Sequence, residues 1–471
     1  MKFKLPNLFL IVSFSLLTQV IAANVWLFPK DELLVKKIEY LSHLTLSSID
    51  TTSYPISISN LEEDSHPEIF DLININFTYN NKFSIDYSNE INPFREIYDE
   101  GKDKKSVSVE KQFNFDKSYI PEFDAKINLT KNFSPSLQKK ISLDGTYFSV
   151  VWPNIVLGVG FVERWWGPSH DNSLILSNYS YAQPGLYLKS LSPLKLNNFL
   201  SFIGKINYAF FFNRLENHRS IKNTNLIGTR ITLQPTSNLT LGFSRVTMFG
   251  GKDRPDSFED FLNNFFRLNR SKDGLDLSNE LAGYDLKYNF KFRDLLFSSY
   301  FQLIGEDEIR FTPSTKIITV GNEIIYLQNG LLRSFGIEYS NTIGDFGDRY
   351  GVAYEHSTYN SGYRYKKLPL GAFIDNDSTF LKFTSNFELT EDVSANFSVF
   401  KGRLNKDKVG TNNIWGINNL EDYEGLKFKI FYSFKKNFSL ENGILVLSDE
   451  LFFNSQVLEK VTLNLKLNYN F

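Results

Sequence analysis

Val461-Thr-Leu-Asn-Leu-Lys-Leu-Asn-Tyr-Asn-Phe471 decides the fold of this 471-residue chain. Val461, Leu463, Leu465, Leu467, Tyr469 and Phe471 alternate without a break with Thr462, Asn464, Lys466, Asn468 and Asn470. A repeat of two gives a strand one apolar face and one polar face. The stretch ends on an aromatic, where a soluble β-protein is expected to run on into a polar tail. That pattern predicts the last strand of a bacterial outer-membrane barrel, apolar toward lipid and polar toward a watery lumen.

The opening residues support the same reading. Lys2 and Lys4 form a basic start, residues 8–17 an apolar core, and Val20-Ile21-Ala22 a small-residue cleavage site. These are the parts of a secretory signal peptide. The apolar run is too short to span a bilayer, and no later run approaches the roughly 18 apolar residues a spanning helix needs. The mature protein is therefore expected in the outer membrane of a Gram-negative cell, crossing it as a barrel. The absence of cysteine excludes disulfides, thiolate metal sites and a lipoprotein anchor. A net charge of −2 without a basic stripe argues against nucleic acid as a partner. The sequence calls for no cofactor and no metal.

Mean hydropathy is −0.25, too polar for a helical membrane protein. Yet 16% of residues are aromatic, with 45 Phe and 24 Tyr. A barrel reconciles the two, because its lumen is polar, its lipid face apolar, and aromatics form girdles at both interfaces. A mature chain of roughly 450 residues has room for an even number of strands near eighteen. The expected fold is all-β: a transmembrane antiparallel barrel of about 18 strands with a short N-terminal periplasmic helical element. Its divisions are a signal peptide over 1–22, a helical segment over 23–68 and the barrel over 69–471.

In chain order, Asp31 can cap a helix with Leu34, Ile38 and Leu41 on one face. Tyr54-Pro55 disfavours its continuation. Strand candidates follow over 72–79, 105–115, 125–130 and 141–151. Over 200–212, the residues Leu200, Phe202, Ile206, Tyr208, Phe210 and Phe212 share one face. Leu426, Phe428, Ile430, Tyr432 and Phe434 repeat the pattern, which turns Lys427 and Lys429 into the lumen. Short turns at 152–154, 235–238 and 292–294 alternate with long loops at 213–223 and 252–280. Such barrels keep short turns on the periplasmic side, so the long loops are expected outside. The alternation slips by one strand between Gly305 and Tyr350. In the long loop after Gly251, Asp256 or Ser257 can cap a helix carrying Phe258, Phe261, Leu262, Phe265 and Phe266.

The densest chemistry lies at Glu163-Arg-Trp-Trp-Gly-Pro-Ser-His-Asp-Asn-Ser-Leu-Ile-Leu-Ser177. The strand before it sets Ile155, Leu157, Val159 and Phe161 on one face and Gly158 and Gly160 on the other. Lumen-facing glycines leave room for groups packed inside a barrel. Arg164, Trp165, Trp166, His170, Asp171 and Asn172 then form a candidate glycan site. Indole faces can cover the C–H surface of a sugar ring while the polar side chains answer its hydroxyls. The same residues suit an interior plug whose polar groups are mutually satisfied. Catalysis is not expected: adjacent residues diverge, there is no Gly-x-Ser-x-Gly elbow, and the chain has five histidines.

This segment, with Pro184-Gly-Leu186 after it, resembles the signature of the capsule assembly protein Wzi family. Similar pieces follow in order: Ser244-Arg-Val-Thr-Met-Phe-Gly-Gly251, Ala282-Gly-Tyr-Asp285, Gln302-Leu-Ile-Gly-Glu-Asp-Glu308, Gly336-Ile-Glu-Tyr-Ser340, Tyr363-Arg-Tyr365 and Pro369-Leu-Gly371. The Trp26-Leu27 start and the helix up to Tyr54-Pro55 are also similar. The resemblance implies a non-enzymatic, lectin-like outer-membrane barrel that binds exported capsular polysaccharide or exopolysaccharide and helps to assemble or anchor it at the cell surface. Outer-membrane lipid and polysaccharide export machinery are the further partners it suggests. The family carries more helices after the Tyr-Pro element, whereas Ile69-Phe70 enters strand-like sequence almost at once. A reduced helical region is therefore expected. The alternative reading is a substrate-specific porin or a polysaccharide export channel.

Overall fold

The computed structural model describes residues 26–27, 32–44, 49–57, 81–99, 102–114, 122–134, 140–257, 259–260, 278–306, 308–309, 312–406, 412–416, 421–434 and 437–471. They form a closed antiparallel barrel of 18 strands, with two short extra strands at Ile141–Ser142 and Leu194–Lys195. The first six are β1 (Asn81–Ser88), β2 (Lys105–Asn114), β3 (Glu122–Asn132), β4 (Tyr147–Trp152), β5 (Ile155–Gly160) and β6 (Gly185–Ser190). Next come β7 (Lys205–Arg214), β8 (Asn225–Thr236), β9 (Leu239–Phe249), β10 (Ser278–Phe292), β11 (Leu295–Glu306) and β12 (Lys316–Gln328). The last six are β13 (Leu331–Asn341), β14 (Thr379–Glu388), β15 (Val393–Leu404), β16 (Glu421–Phe434), β17 (Phe438–Leu447) and β18 (Val461–Asn470). β18 pairs with β1 from Asn464↔Ser88 to Asn470↔Lys82 and so closes the cylinder.

The period of two is obeyed in the folded chain. Val461, Leu463, Leu465 and Leu467 are exposed on the outside of β18, while Thr462 and Lys466 are buried within. On β16, Leu426, Phe428 and Tyr432 face out, and Lys427 and Lys429 are buried in the lumen. Gly158 faces inward, and a Cβ there would run into the Tyr187 ring from the neighbouring strand.

Connections alternate in length too, with one exception at residues 191–204. Turns of two residues, at 153–154, 237–238, 293–294 and 329–330, mark one end of the barrel. Long connections such as 89–104, 161–184, 342–378 and 405–420 mark the other. The slip between Gly305 and Tyr350 is resolved by two strands, β12 and β13, joined at Asn329-Gly330. Both residues have positive φ, 54° and 78°, the geometry of a type I′ hairpin, for which Asn-Gly is the strongest sequence signal. With two strands in this interval, the alternation runs without a slip through to β18.

Two strand readings change: the candidate over 141–151 is split into the short extra strand Ile141–Ser142 and β4 by a turn at 143–146, where Gly145 has a positive φ of 85°. Leu200 and Phe202 do not extend β7 but lie on a 3-10 helix, Asn198–Ile203. The reason is local: Asn198 (φ 61°) and Gly204 (φ 75°) bracket the segment in left-handed backbone, which a strand cannot carry. The signal peptide, the strand candidate over 72–79, and Phe258, Phe261, Leu262, Phe265 and Phe266 lie outside the described residues. At the start of that last segment, Ser257 N and Oγ donate to Asp260 Oδ2 (2.9 and 2.6 Å) and Asp260 N donates to Ser257 Oγ (3.1 Å). These are the bonds of a capped helix start.

The N-terminal helix, α1 (Glu32–Leu44), is seated in the lumen near the turn end. Its Tyr40 hydroxyl donates to Asp294 O in the β10–β11 turn (3.2 Å). Lys36 pairs with Glu323 of β12, and Glu39 with Lys287 of β10. Its apolar face, Leu34, Val35 and Ile38, packs against Tyr54, Ile97, Tyr98 and Trp165. The main hydrophobic core is likewise inside the barrel, toward the loop end. There Phe94, Phe373, Phe380, Phe400, Trp415 and Tyr423 stack on one another with ring centroids 4.8–6.2 Å apart.

Candidate functional site

The connection between β5 and β6 folds back into the lumen and forms the centre of a plug. Trp165–Trp166 pairs as a short antiparallel ribbon with Ser53–Tyr54 (Trp165↔Tyr54, Trp166↔Ser53). Trp165 Nε1 donates to Ser169 O (2.9 Å), which closes the turn that Gly167 and Pro168 make. Both indoles are 1% exposed, so neither face is open to a polymer in this structure. Arg164 lies over the Phe211 ring (4.6 Å) and donates to Val162 O (3.0 Å). Burial pulls its guanidinium below the ordinary value.

The barrel wall grips this segment through inward-pointing polar side chains. Glu338 of β13 accepts from three consecutive backbone N–H groups: His170 (2.8 Å), Asp171 (3.2 Å) and Asn172 (3.0 Å). It also accepts from the Tyr300 hydroxyl (2.9 Å). Gln302 of β11 donates to Trp166 O and accepts from Leu174 N, both at 2.8 Å. Lys382 of β14 bridges Asp171 (2.7 Å) to Glu96 in the β1–β2 connection (2.6 Å). The His170 ring meets the Tyr98 hydroxyl at 2.9 Å and stands edge-on to Tyr300. Asn172 is fully buried, and its side-chain amide has no hydrogen-bond partner among the described residues.

A second set of wall contacts holds residues 49–57 and 89–99. Arg230 of β8 is bidentate to Asp285 of β10 (2.6 and 2.9 Å) and donates to Thr52 Oγ1 (2.9 Å). Lys427 donates to Asp99 (2.7 Å), and Lys429 pairs with the same carboxylate. Burial alone would push the Glu96 and Asp99 carboxyls up, but the lysines override it. Lys382, Lys427 and Lys429 hold Glu96 well below the carboxylate range, and Lys427 and Lys429 bring Asp99 down to about 2. These buried carboxylates and lysines are tolerable in the lumen because they meet opposite charges at hydrogen-bonding distance.

The six candidate residues are thus brought together, as interior supports. Of their wall partners, Lys382 was not singled out in the sequence, while Gln302 and Glu338 lie in stretches that carry the family resemblance, with no role assigned to them there. Apart from that resemblance, their signal was an isolated polar residue at an inward position, as Glu338 is between Ile337 and Tyr339. Every separate stretch that carries the family resemblance supplies such a contact. Ser244 and Asp285 hold Arg230. Tyr363 donates to Ile175 O (2.7 Å), while Ser177 N and Oγ donate to Leu370 O and Gly371 O (2.8 and 2.6 Å).

On the plug's other side, a polar cleft separates it from the wall of β1–β3 and β16–β18. Ser84, Asp86, Ser106, Asn128, Thr130 and Lys466 are among its linings. At the loop-end surface, Phe346, Tyr350 and Arg349 are exposed. Lys406 Nζ lies 5.2 Å from the Tyr350 ring centre.

The family described as capsule assembly protein Wzi matches residues 78–451. A curated relative from Klebsiella pneumoniae, an uncharacterized 55.8 kDa protein in the cps region, is 30% identical over 188 residues. That match spans 39% of this chain and 37% of the relative. Among solved structures, a similar one is Wzi, an outer membrane protein involved in group 1 capsule assembly in Escherichia coli and a carbohydrate-binding β-barrel. It aligns over 95% of this chain and 100% of its own at a TM-score of 0.80 and 19% identity, a likeness of fold.

Proposed function

The chain belongs to the capsule assembly protein Wzi family, and from that premise we propose an outer-membrane barrel that binds exported capsular polysaccharide or exopolysaccharide at the cell surface. It is made with a cleaved signal peptide, is not an enzyme, and helps to hold or organise polymer delivered by an export machinery. The observation that carries this reading is the filled lumen. Residues 89–99, 163–183 and 351–378 form one hydrogen-bonded, aromatic-cored plug, so the loop end offers a surface and not a wide passage. Arg164, Trp165, Trp166, His170, Asp171 and Asn172 build the frame of that surface from below. Contacts to sugar come from exposed side chains above it, among them Tyr350 with Lys406, which pair a ring face with a cation.

A second reading, passage of a small solute, has the polar cleft beside β1–β3 in its favour. The two separate in one experiment on full-length protein: polysaccharide binding to the refolded barrel, paired with conductance in a planar bilayer. Polysaccharide binding without a porin-sized conductance is expected. A large steady conductance without binding would replace the first reading by the second.

A further inference from the structure

Every described connection at the turn end is a few residues long except the one between β6 and β7, residues 191–204. This excursion is firmly held. Leu191 N donates to Asn154 O (2.9 Å) and Ser192 N to Asn154 Oδ1 (2.6 Å), both in the β4–β5 turn. Leu194–Lys195 pairs with Ile206 and Lys205 of β7. Gly204 closes the excursion against β8, where any Cβ would collide with Gln234 O. Yet the 3-10 helix Asn198–Ile203 in its middle buries none of its residues. Phe199 is 81% exposed and Phe202 69%, the two most exposed large apolar side chains described. An ordered segment that fixes two phenyl rings in the open must cover them with something else.

We propose that this excursion is an interfacial anchor, laid on the phospholipid leaflet at the turn end with Phe199 and Phe202 sunk among the upper acyl chains. The inference rests on the membrane reading given under Proposed function. Two features favour lipid over a protein partner. The patch is continuous with the outward apolar wall, through Leu194 and through Trp152, Ile155 and Leu157 of β4 and β5, all exposed. Trp152 stands at the end of its strand, where an amphipathic indole favours the headgroup level.

The chain contains no cysteine, so single spin labels can be placed by Phe199→Cys and Phe202→Cys in the full-length protein. Leu157→Cys serves as the wall reference and Asp294→Cys as the turn reference. In vesicles of phosphatidylethanolamine and phosphatidylglycerol, collision with oxygen is compared with collision with a water-soluble nickel chelate. Heat-modifiable gel migration confirms that each variant is folded. The expected result is an oxygen-to-nickel ratio at both phenylalanine positions severalfold above Asp294→Cys and approaching Leu157→Cys. A ratio equal to that of Asp294→Cys overturns the anchor. So does spin–spin broadening that vanishes on dilution with unlabelled protein, which would assign the patch to a second copy. If Leu157→Cys itself reads as water-exposed, the membrane reading fails and the anchor with it.

Discussion

Glu338 holds three successive peptide N–H groups of the plug and one phenol with a single carboxylate. Hydrogen bonds to an ionised acceptor are stronger than neutral ones, and a buried donor left unmatched costs more than the bond was worth. Glu338→Gln preserves the shape but turns an NH2 toward these donors. We expect a loss of about 1.5–3 kcal/mol, read as a lower unfolding midpoint in near-ultraviolet circular dichroism. An unchanged midpoint would mean that the plug is held by its aromatic core alone. A neighbouring case is steric. Gly158→Ala sets a methyl into the space of the Tyr187 ring, and overpacking of this kind costs about 1–3 kcal/mol. Gly336→Ala, whose Cβ would meet only loose contacts at 3.7 Å and beyond, is the matched control and should be near neutral.

Elements obey the facing that alternation gives them. On β18, Leu465 is exposed outside and Lys466 buried inside. Leu465→Arg should impair membrane assembly, because arginine on the lipid face near the midplane costs about 2–4 kcal/mol. Lys466→Arg keeps the charge in the lumen and should be mild. Equal yields of heat-modifiable barrel from both variants would contradict the assigned facing. The β1–β2 connection is held by charge, which makes its seating depend on pH. Burial opposes ionisation of Asp99, but Lys427 and Lys429 hold its carboxyl down at about 2. A depressed carboxyl stabilises the fold above its unfolded value, near 3.8, and loses that contribution as pH falls through the folded value. Protease sensitivity of residues 89–104 should therefore stay low to about pH 4 and rise between there and pH 2. In Asp99→Asn this acid step should shrink, and a step of wild-type size would place its origin elsewhere.

For the molecule as a whole, the wall and the plug are complementary in charge. Lys382, Lys427 and Lys429 meet Glu96, Asp99 and Asp171, while Glu323 and Glu338 meet Lys36 and the plug's N–H groups. Replacing all three lysines by methionine should unseat residues 89–99 and give a bilayer conductance several times that of the parent. A silent variant would show that the aromatic core is a sufficient seal. Alanine at Trp165 or Trp166 should lower the amount of folded barrel and polysaccharide retention together. Retention that falls after normalisation to folded protein would return these rings to the sugar-contacting surface.

The sequence by itself determined the barrel. A strand records its two environments in every second residue, so β5, β16 and β18 show their facing without reference to any neighbour. Loop length fixed the two ends, and the Asn329-Gly330 hairpin that broke the count was also written there. Clustering of Arg164, Trp165, Trp166, His170, Asp171 and Asn172 was equally visible, but whether those rings face a polymer or a wall was not. That depends on Gln302, Glu338 and Lys382, between 128 and 211 residues away in the chain. Each is one polar residue at an inward position, and nothing in its own stretch says that it meets the plug and not water. Only closure of the barrel brings them within hydrogen-bonding distance. Local alternation encodes which side of the wall a residue faces, while burial inside the cylinder is set by long-range contacts that no short stretch contains.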